Sequence, residues 1–311
     1  MNAIGRSHAK LILIGEHSVV YGYPAITIPI TSIPVIVKME SIKTEESIIE
    51  SRFFTGKIID IPEHLKGIEK LITNLDKKLN TKNIKYSIRI KSDVPIERGL
   101  GSSAAASAAI IRCFYQFFQK RLTKTLLIEE INVSESIIHG QASGVDAVSV
   151  TANAPLCFKK GESPVNIDMN ITGYLVIADS GIRGKTGEAV ADVKQSLKDN
   201  PEQYSQYLKN LGELTTEANT ALAVNDLTTL GKIFNNAQLN LSKLGVSSNE
   251  IDKLIEIANN NGSLGTKLTG GGRGGCIIAV VESKIKAQLL SEILENNSAI
   301  KTWIQPLNVY N

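Results

Sequence analysis

A strand, a glycine turn and an alanine-rich helix follow one another between Ser87 and Phe114. Ser87-Ile88-Arg89-Ile90 alternates polar and apolar residues as a strand does. In Glu97-Arg98-Gly99-Leu100-Gly101-Ser102-Ser103, Gly99 and Gly101 permit backbone angles that a side chain forbids. From Ser103 to Phe114 the alanine-rich run has strong helix propensity. This order aims several backbone N–H groups at one point, with the positive end of a helix dipole behind them. Phosphate is the obvious occupant. A tight turn with a serine cap is the other reading, and the stretch alone leaves both open.

The 311 residues are enough for a sizeable core and predict two domains, 1–165 and 166–311. A formal charge of +3, with dispersed lysines, gives no reason to expect nucleic acid, and aromatic residues at 5% offer few stacking surfaces. Cys113, Cys157 and Cys276 are far apart and form no CxxC pair, which argues against a disulfide framework or a thiolate zinc site. Arg6, His8 and Lys10 precede an apolar run in the manner of a signal peptide, but Gly15-Glu16-His17 interrupts it and no small-residue cleavage site fits. With no apolar run long enough for a membrane span, a cytoplasmic protein is expected.

In chain order, Ser7 to Ile14 reads as a strand with Lys10 in its middle. Ala25 to Ile30 and Val35 to Met39 read as two more, with Pro29 and Pro34 near their ends. A lysine in such a strand is ordinarily a rim residue, although Gly15-Glu16-His17 at the strand end could form a substrate rim. A helix from about Thr123 is expected to break near Asn132, to carry Glu135 and His139 on one face, and to close at Gly140. Asp146 follows Ser143-Gly144; it reads as a cap or turn residue as readily as a functional acid, Glu135 as a solvated acid and His139 as a packed histidine. Gly184-Lys185-Thr186 imitates the end of a P-loop, but the glycine required five residues before Gly184 is Asp179, so that reading is rejected. Thr269 to Gly275 is a second glycine-rich turn, set between strands in a half that reads as α+β with an antiparallel sheet.

Two glycine turns, a lysine, two acids and a helix-start serine make a coherent phosphoryl-transfer inventory. Such chemistry needs charge neutralisation, a divalent ion and an oriented nucleophile more than covalent catalysis. Ser103 and Glu135 offer oxygen ligands suited to Mg2+. Asp146 could deprotonate an alcohol, with Lys10 stabilising the oxygen.

At these residues the chain resembles the GHMP small-molecule kinase superfamily, and within it the mevalonate kinase family, over nearly its whole length. Lys10 to Ala25, Gly99 to Ala105, the His139 to Asp146 segment and Lys267 to Cys276 are similar to the family's motifs in the right order. The resemblance implies an α+β GHMP kinase fold, with a ribosomal-protein-type N-terminal domain and a ferredoxin-like C-terminal domain. It implies ATP and Mg2+ as cofactors, mevalonate as substrate, phosphorylated at its primary alcohol to 5-phosphomevalonate, and a homodimer. Residue by residue, it implies Asp146 and Lys10 as the catalytic pair and Ser103 and Glu135 as metal ligands. Glu97, Arg98, Gly99, Leu100, Gly101, Ser102 and Ser103 would hold the ATP phosphates. Glu16, His17, Asp146 and Thr186 would lie on the substrate side.

The second glycine turn departs from the family's usual Thr-Gly-Ala-Gly-Gly-Gly-Gly. Gly271 stands for alanine and is expected to be sterically harmless. Arg273 stands for glycine and either points outward or contacts phosphate. Alternative readings are a kinase for phosphomevalonate, homoserine or a sugar, a decarboxylase of mevalonate diphosphate, and a non-catalytic nucleotide-binding regulator. Retention of Lys10 and Asp146 speaks against the last, and the Glu16-His17 pair with the His139 segment against the other kinases.

Overall fold

The first strand, β1 (Asn2–Ile14), buries alternate residues at Ala3, Gly5 and Ser7 and then most residues from Ala9 onward. That change marks a strand with one covered face becoming a strand covered on both. The computed structural model describes residues 1–139 and 144–310, with the side chains of 137–139 excluded. The His139 side chain, Gly140 and Ser143 therefore lie outside the described residues.

The chain forms two compact units, and neither is continuous in sequence. The first comprises Met1–Ala9, Ile33–Val94 and Gly101–Thr151. Its second strand, β2 (Ala25–Ser41), is one strand where the sequence predicted two. The prolines misled because Pro29 and Pro34 fall between two differently paired segments: Ala25 to Thr27 has one partner strand and Val35 to Ser41 another. The polar stretch after it forms a small hairpin, β3 (Ile48–Glu50) and β4 (Thr55–Lys57). Then come α1 (Lys66–Leu79) and β5 (Tyr86–Ser92), which pairs parallel with β3 and antiparallel with β2.

Three helices complete this unit: α2 (Ser102–Phe117), α3 (Lys124–His139) and α4 (Val145–Ser149). The alanines of α2 are there for close approach. Ala104, Ala105, Ala108 and Ala109 are fully buried, and a Cβ at Gly5 would lie 1.9 Å from Ala109 O. The helix thus lies almost directly on the backbone of β1. Asn132 does not break α3, which runs through it.

The second unit comprises Lys10–Ser32, Pro95–Leu100 and Ala152–Asn311. Short strands β6 (Leu156–Phe158) and β7 (Val165–Asn166) pair with each other, and β6 with the start of β2. Next come β8 (Tyr174–Asp179), α5 (Thr186–Asp199), α6 (Pro201–Ala223), α7 (Leu227–Lys243) and α8 (Asn249–Asn260). The chain ends with β9 (Gly265–Thr269), β10 (Cys276–Val281), α9 (Lys284–Asn296) and β11 (Lys301–Pro306). Side chains of Asn200, Asp226, Ser248 and Ser283 cap α6, α7, α8 and α9 in turn. Strands β8 to β11 form an antiparallel sheet, as the sequence predicted, and their order is β11-β8-β10-β9. Among the described residues no helix is long and apolar enough to cross a membrane.

Candidate active site

The first glycine turn runs from β5 to the start of α2. Glu97, Gly99 and Gly101 all take positive φ, of 57°, 80° and 67°. Gly101 is the N-cap of α2, and no side chain caps that helix end. The serine-cap alternative therefore fails. First-turn N–H groups remain for an anion, in a helix of 16 residues. Ser103 sits half-buried in that first turn.

The second glycine turn joins β9 to β10, with positive φ at Gly270, Gly272, Arg273, Gly274 and Gly275. The two turns meet backbone to backbone. A Cβ on Gly99 would lie 3.0 Å from Thr269 O, and one on Gly270 would lie 2.9 Å from Gly99 Cα. Strand β1 fastens both: the Lys10 amide donates to Leu100 O at 3.1 Å, and Thr269 Oγ1 donates to Ile12 O at 2.8 Å. Lys10 is buried, not on a rim.

Beside the turns lies the Gly15-Glu16-His17 corner. Glu16 and Lys267 form an ion pair with both side chains wholly buried, and Lys267 Nζ also donates to Leu268 O at 2.7 Å. Burial pushes the Glu16 carboxyl above its ordinary range, against the pull of the Lys267 and Lys10 charges. Its Oε2 has no hydrogen-bond partner among the described residues. His17 Nε2 lies 3.0 Å from Gly271 O, and a carbonyl only accepts, so Nε2 carries the proton. Burial lowers the His17 pKa, a shift opposed by the Gly271 bond and aided by the Arg273 charge. The neutral ring leaves Nδ1 as a buried acceptor with no partner among the described residues.

The segment after β8 is bonded to both turns. Ser180 Oγ donates to Gly275 O at 2.7 Å, and the Gly184 amide donates to Glu97 O at 2.8 Å. Arg98 points its guanidinium here, donating to Asp179 at 2.7 Å and to Gly181 O at 2.9 Å. Its side chain thus anchors the first turn to the end of β8. Arg183 and Lys185 make exposed ion pairs with Glu97 and Glu188.

Glycine at 271 is sterically harmless, as expected, whereas alanine would not be: a Cβ there would lie 2.2 Å from Thr186 Oγ1 and 2.7 Å from Thr186 Cα. Arg273 neither points idly outward nor sits ready for phosphate: it pairs with Asp192 at 2.5 Å and donates to Gly245 O.

In the first unit, the buried Ser107 and Ser134 hydroxyls are 3.0 Å apart and join α2 to α3. Helices joined by a short loop run antiparallel, so the start of α2, with Ser103, lies at the same end as the C-terminal part of α3, with buried Glu135. Helix α4, with half-buried Asp146 in its first turn, packs against both. Among the described residues no group of three or more His, Cys, Asp or Glu side chains could hold a metal ion. One hydroxyl and one carboxylate are nevertheless a donor set that fits Mg2+, which keeps waters and substrate phosphate oxygens as its other ligands. Lys10, Glu16, His17, Thr186 and most of the first turn belong to the second unit; Ser103, Glu135 and Asp146 belong to the first. Sequence reasoning gave no role to Lys267, Asp179 or Asp192. The one available signal was an ionisable residue inside the apolar approach to a glycine turn, at Lys267.

Two family descriptions match the chain, "GHMP kinases N terminal domain" over residues 66–153 and "GHMP kinases C terminal" over 218–300. These are the paired domains of a small-molecule kinase. A mevalonate kinase of Aeropyrum pernix is 35% identical over 217 residues, covering 69% of this chain and 67% of that protein. One of Pyrococcus horikoshii is 30% identical over 300 residues, covering 89% and 88%. A solved structure of L. major mevalonate kinase in complex with R-mevalonate superposes with a TM-score of 0.84 at 25% identity, covering 98% of this chain and 96% of that one. The chain belongs to the mevalonate kinase family of the GHMP kinases.

Proposed function

We propose that this protein transfers the γ-phosphoryl group of ATP to the primary alcohol of (R)-mevalonate, giving 5-phosphomevalonate and ADP. The observation that carries the proposal is the backbone contact between the two glycine turns, with His17 bonded to Gly271 beside it. Gly99, Gly270 and the Glu16-His17 corner come together within the second compact unit, which supports the reading.

The first turn, Glu97 to Ser103, binds the ATP phosphates through its backbone N–H groups and the dipole of α2. Mg2+, held by Ser103 and Glu135, would neutralise phosphate charge. Asp146 takes the proton of the substrate hydroxyl as its oxygen bonds to the γ-phosphorus, and the bond to the ADP oxygen breaks. Lys10 stabilises the negative charge on the attacking oxygen. Neutral His17, accepting at Nδ1, and Glu16 Oε2 both call for donors, which a substrate hydroxyl supplies; Thr186 flanks the same side. We also propose a cytoplasmic homodimer, checked by light scattering of the purified protein.

The test is ADP release from ATP and Mg2+ with a panel of alcohols: mevalonate, phosphomevalonate, homoserine and galactose. Release that depends on mevalonate supports the proposal, and none above background overturns it. Asp146→Asn should lower kcat by about 10²- to 10⁴-fold while leaving nucleotide affinity within about twofold. Near-normal turnover would remove Asp146 from the mechanism.

A further inference from the structure

Arg273 is held at four points, and each ties the second glycine turn to a neighbouring helix or the loop after it. Its amide donates to Val246 O at 2.8 Å, and its Nε and Nη2 reach Gly245 O at 3.3 and 3.2 Å, just beyond α7. Its Nη1 meets Asp192, in the second turn of α5, at 2.5 Å. The same glycine turn meets α5 at its beginning: the Lys185 amide donates to Gly272 O at 3.3 Å. Between these two ties, Thr186 presses on Gly271 so closely that a Cβ would fall 2.6 Å from Thr186 Cβ and 2.7 Å from its Cα. No rotation of the threonine side chain relieves the contact with Cα. Alanine at 271 requires the start of α5 to move.

We propose that Arg273 and Asp192 form a positioning pair that seats Thr186 against Gly271, and that the absent side chain at Gly271 is the room this seat requires. The two residues at which the turn departs from the family's usual spelling are then one device. Arg273 draws α5 toward the turn, and Gly271 lets it arrive. The pair sits at the surface, with Asp192 58% exposed and Arg273 28%, so salt should weaken it. The consequence for substrate rests on the alcohol-kinase reading above, because Thr186 is placed on the substrate side there.

The test is a double-mutant cycle of Gly271→Ala and Arg273→Gly, read both by kinetics and by amide hydrogen exchange. Glycine suits the φ of 56° at position 273, so that variant has no backbone reason to misfold. In the Arg273 background, Gly271→Ala should raise KM for mevalonate by about tenfold, with KM for ATP and kcat within about twofold. In the Arg273→Gly background the same change should cost less than about threefold. Amides in the first turn of α5 should exchange faster in Arg273→Gly, in Asp192→Asn, and in the unmodified protein at high salt. Equal cost of Gly271→Ala in both backgrounds, or unchanged exchange in all three cases, overturns the proposal. If the unmodified protein fails to turn over mevalonate, the functional reading falls, and the exchange results still decide on the positioning pair.

Discussion

Lys267 and Glu16 show how a buried charge can hold a corner in place. Each is wholly excluded from water, so either one left alone would be an uncompensated charge in a low-dielectric interior. Lys267→Met should therefore cost roughly 3–5 kcal/mol in chemical denaturation, and adding Glu16→Gln should recover much of it. A loss below about 1 kcal/mol would mean that water reaches the pair. His17 makes a second prediction at this scale. Its folded-state pKa lies below the ordinary 6.5, so the unfolded chain binds the proton first as pH falls. The stability associated with the neutral ring is complete above that value and is lost as pH drops through 6.5 toward the folded-state pKa. Denaturation midpoints of the unmodified protein should fall more steeply from pH 7 to 5 than those of His17→Asn. Parallel curves would show that His17 is not held neutral.

Among the elements, the two glycine turns were legible and their meeting was not. Gly99 and Gly101 punctuate the chain between a strand and a helix, which marks the first turn without any long-range information. The contact of Gly99 with Gly270 depends on β1 holding both turns, a relation no local pattern encodes. Gly99→Ala should place a side chain at φ 80° and 3.0 Å from Thr269 O. A cost of about 1–3 kcal/mol in stability is expected, with a rise of at least about tenfold in KM for ATP. Unchanged values for both would mean that the turns can separate freely. The errors have equally physical causes. Pro29 and Pro34 suggested strand ends because a ladder lacks their N–H groups, but β2 changes partners there. That alanine would not fit at 271 was hidden for a similar reason, because the neighbour it would strike, Thr186, is remote in sequence.

For the whole molecule, the α+β class and the antiparallel C-terminal sheet follow from the order of apolar runs, turns and amphipathic helices. The two compact units interleave along the chain, and this could not be read from composition. β1 and β2 each pass from one unit to the other, so Lys10 belongs to one unit while the preceding residues of the same strand belong to the other. The first glycine turn is divided in the same way, with Leu100 in the second unit and Gly101, which caps α2, in the first. The central claim, transfer to one particular alcohol, is tested most directly by the product. Phosphorus NMR of a reaction containing the protein, ATP, Mg2+ and (R)-mevalonate should show one new phosphate monoester, coupled to the C5 methylene protons, appearing in step with ADP. ADP without that ester, or an ester formed only when another alcohol is supplied, would contradict the account.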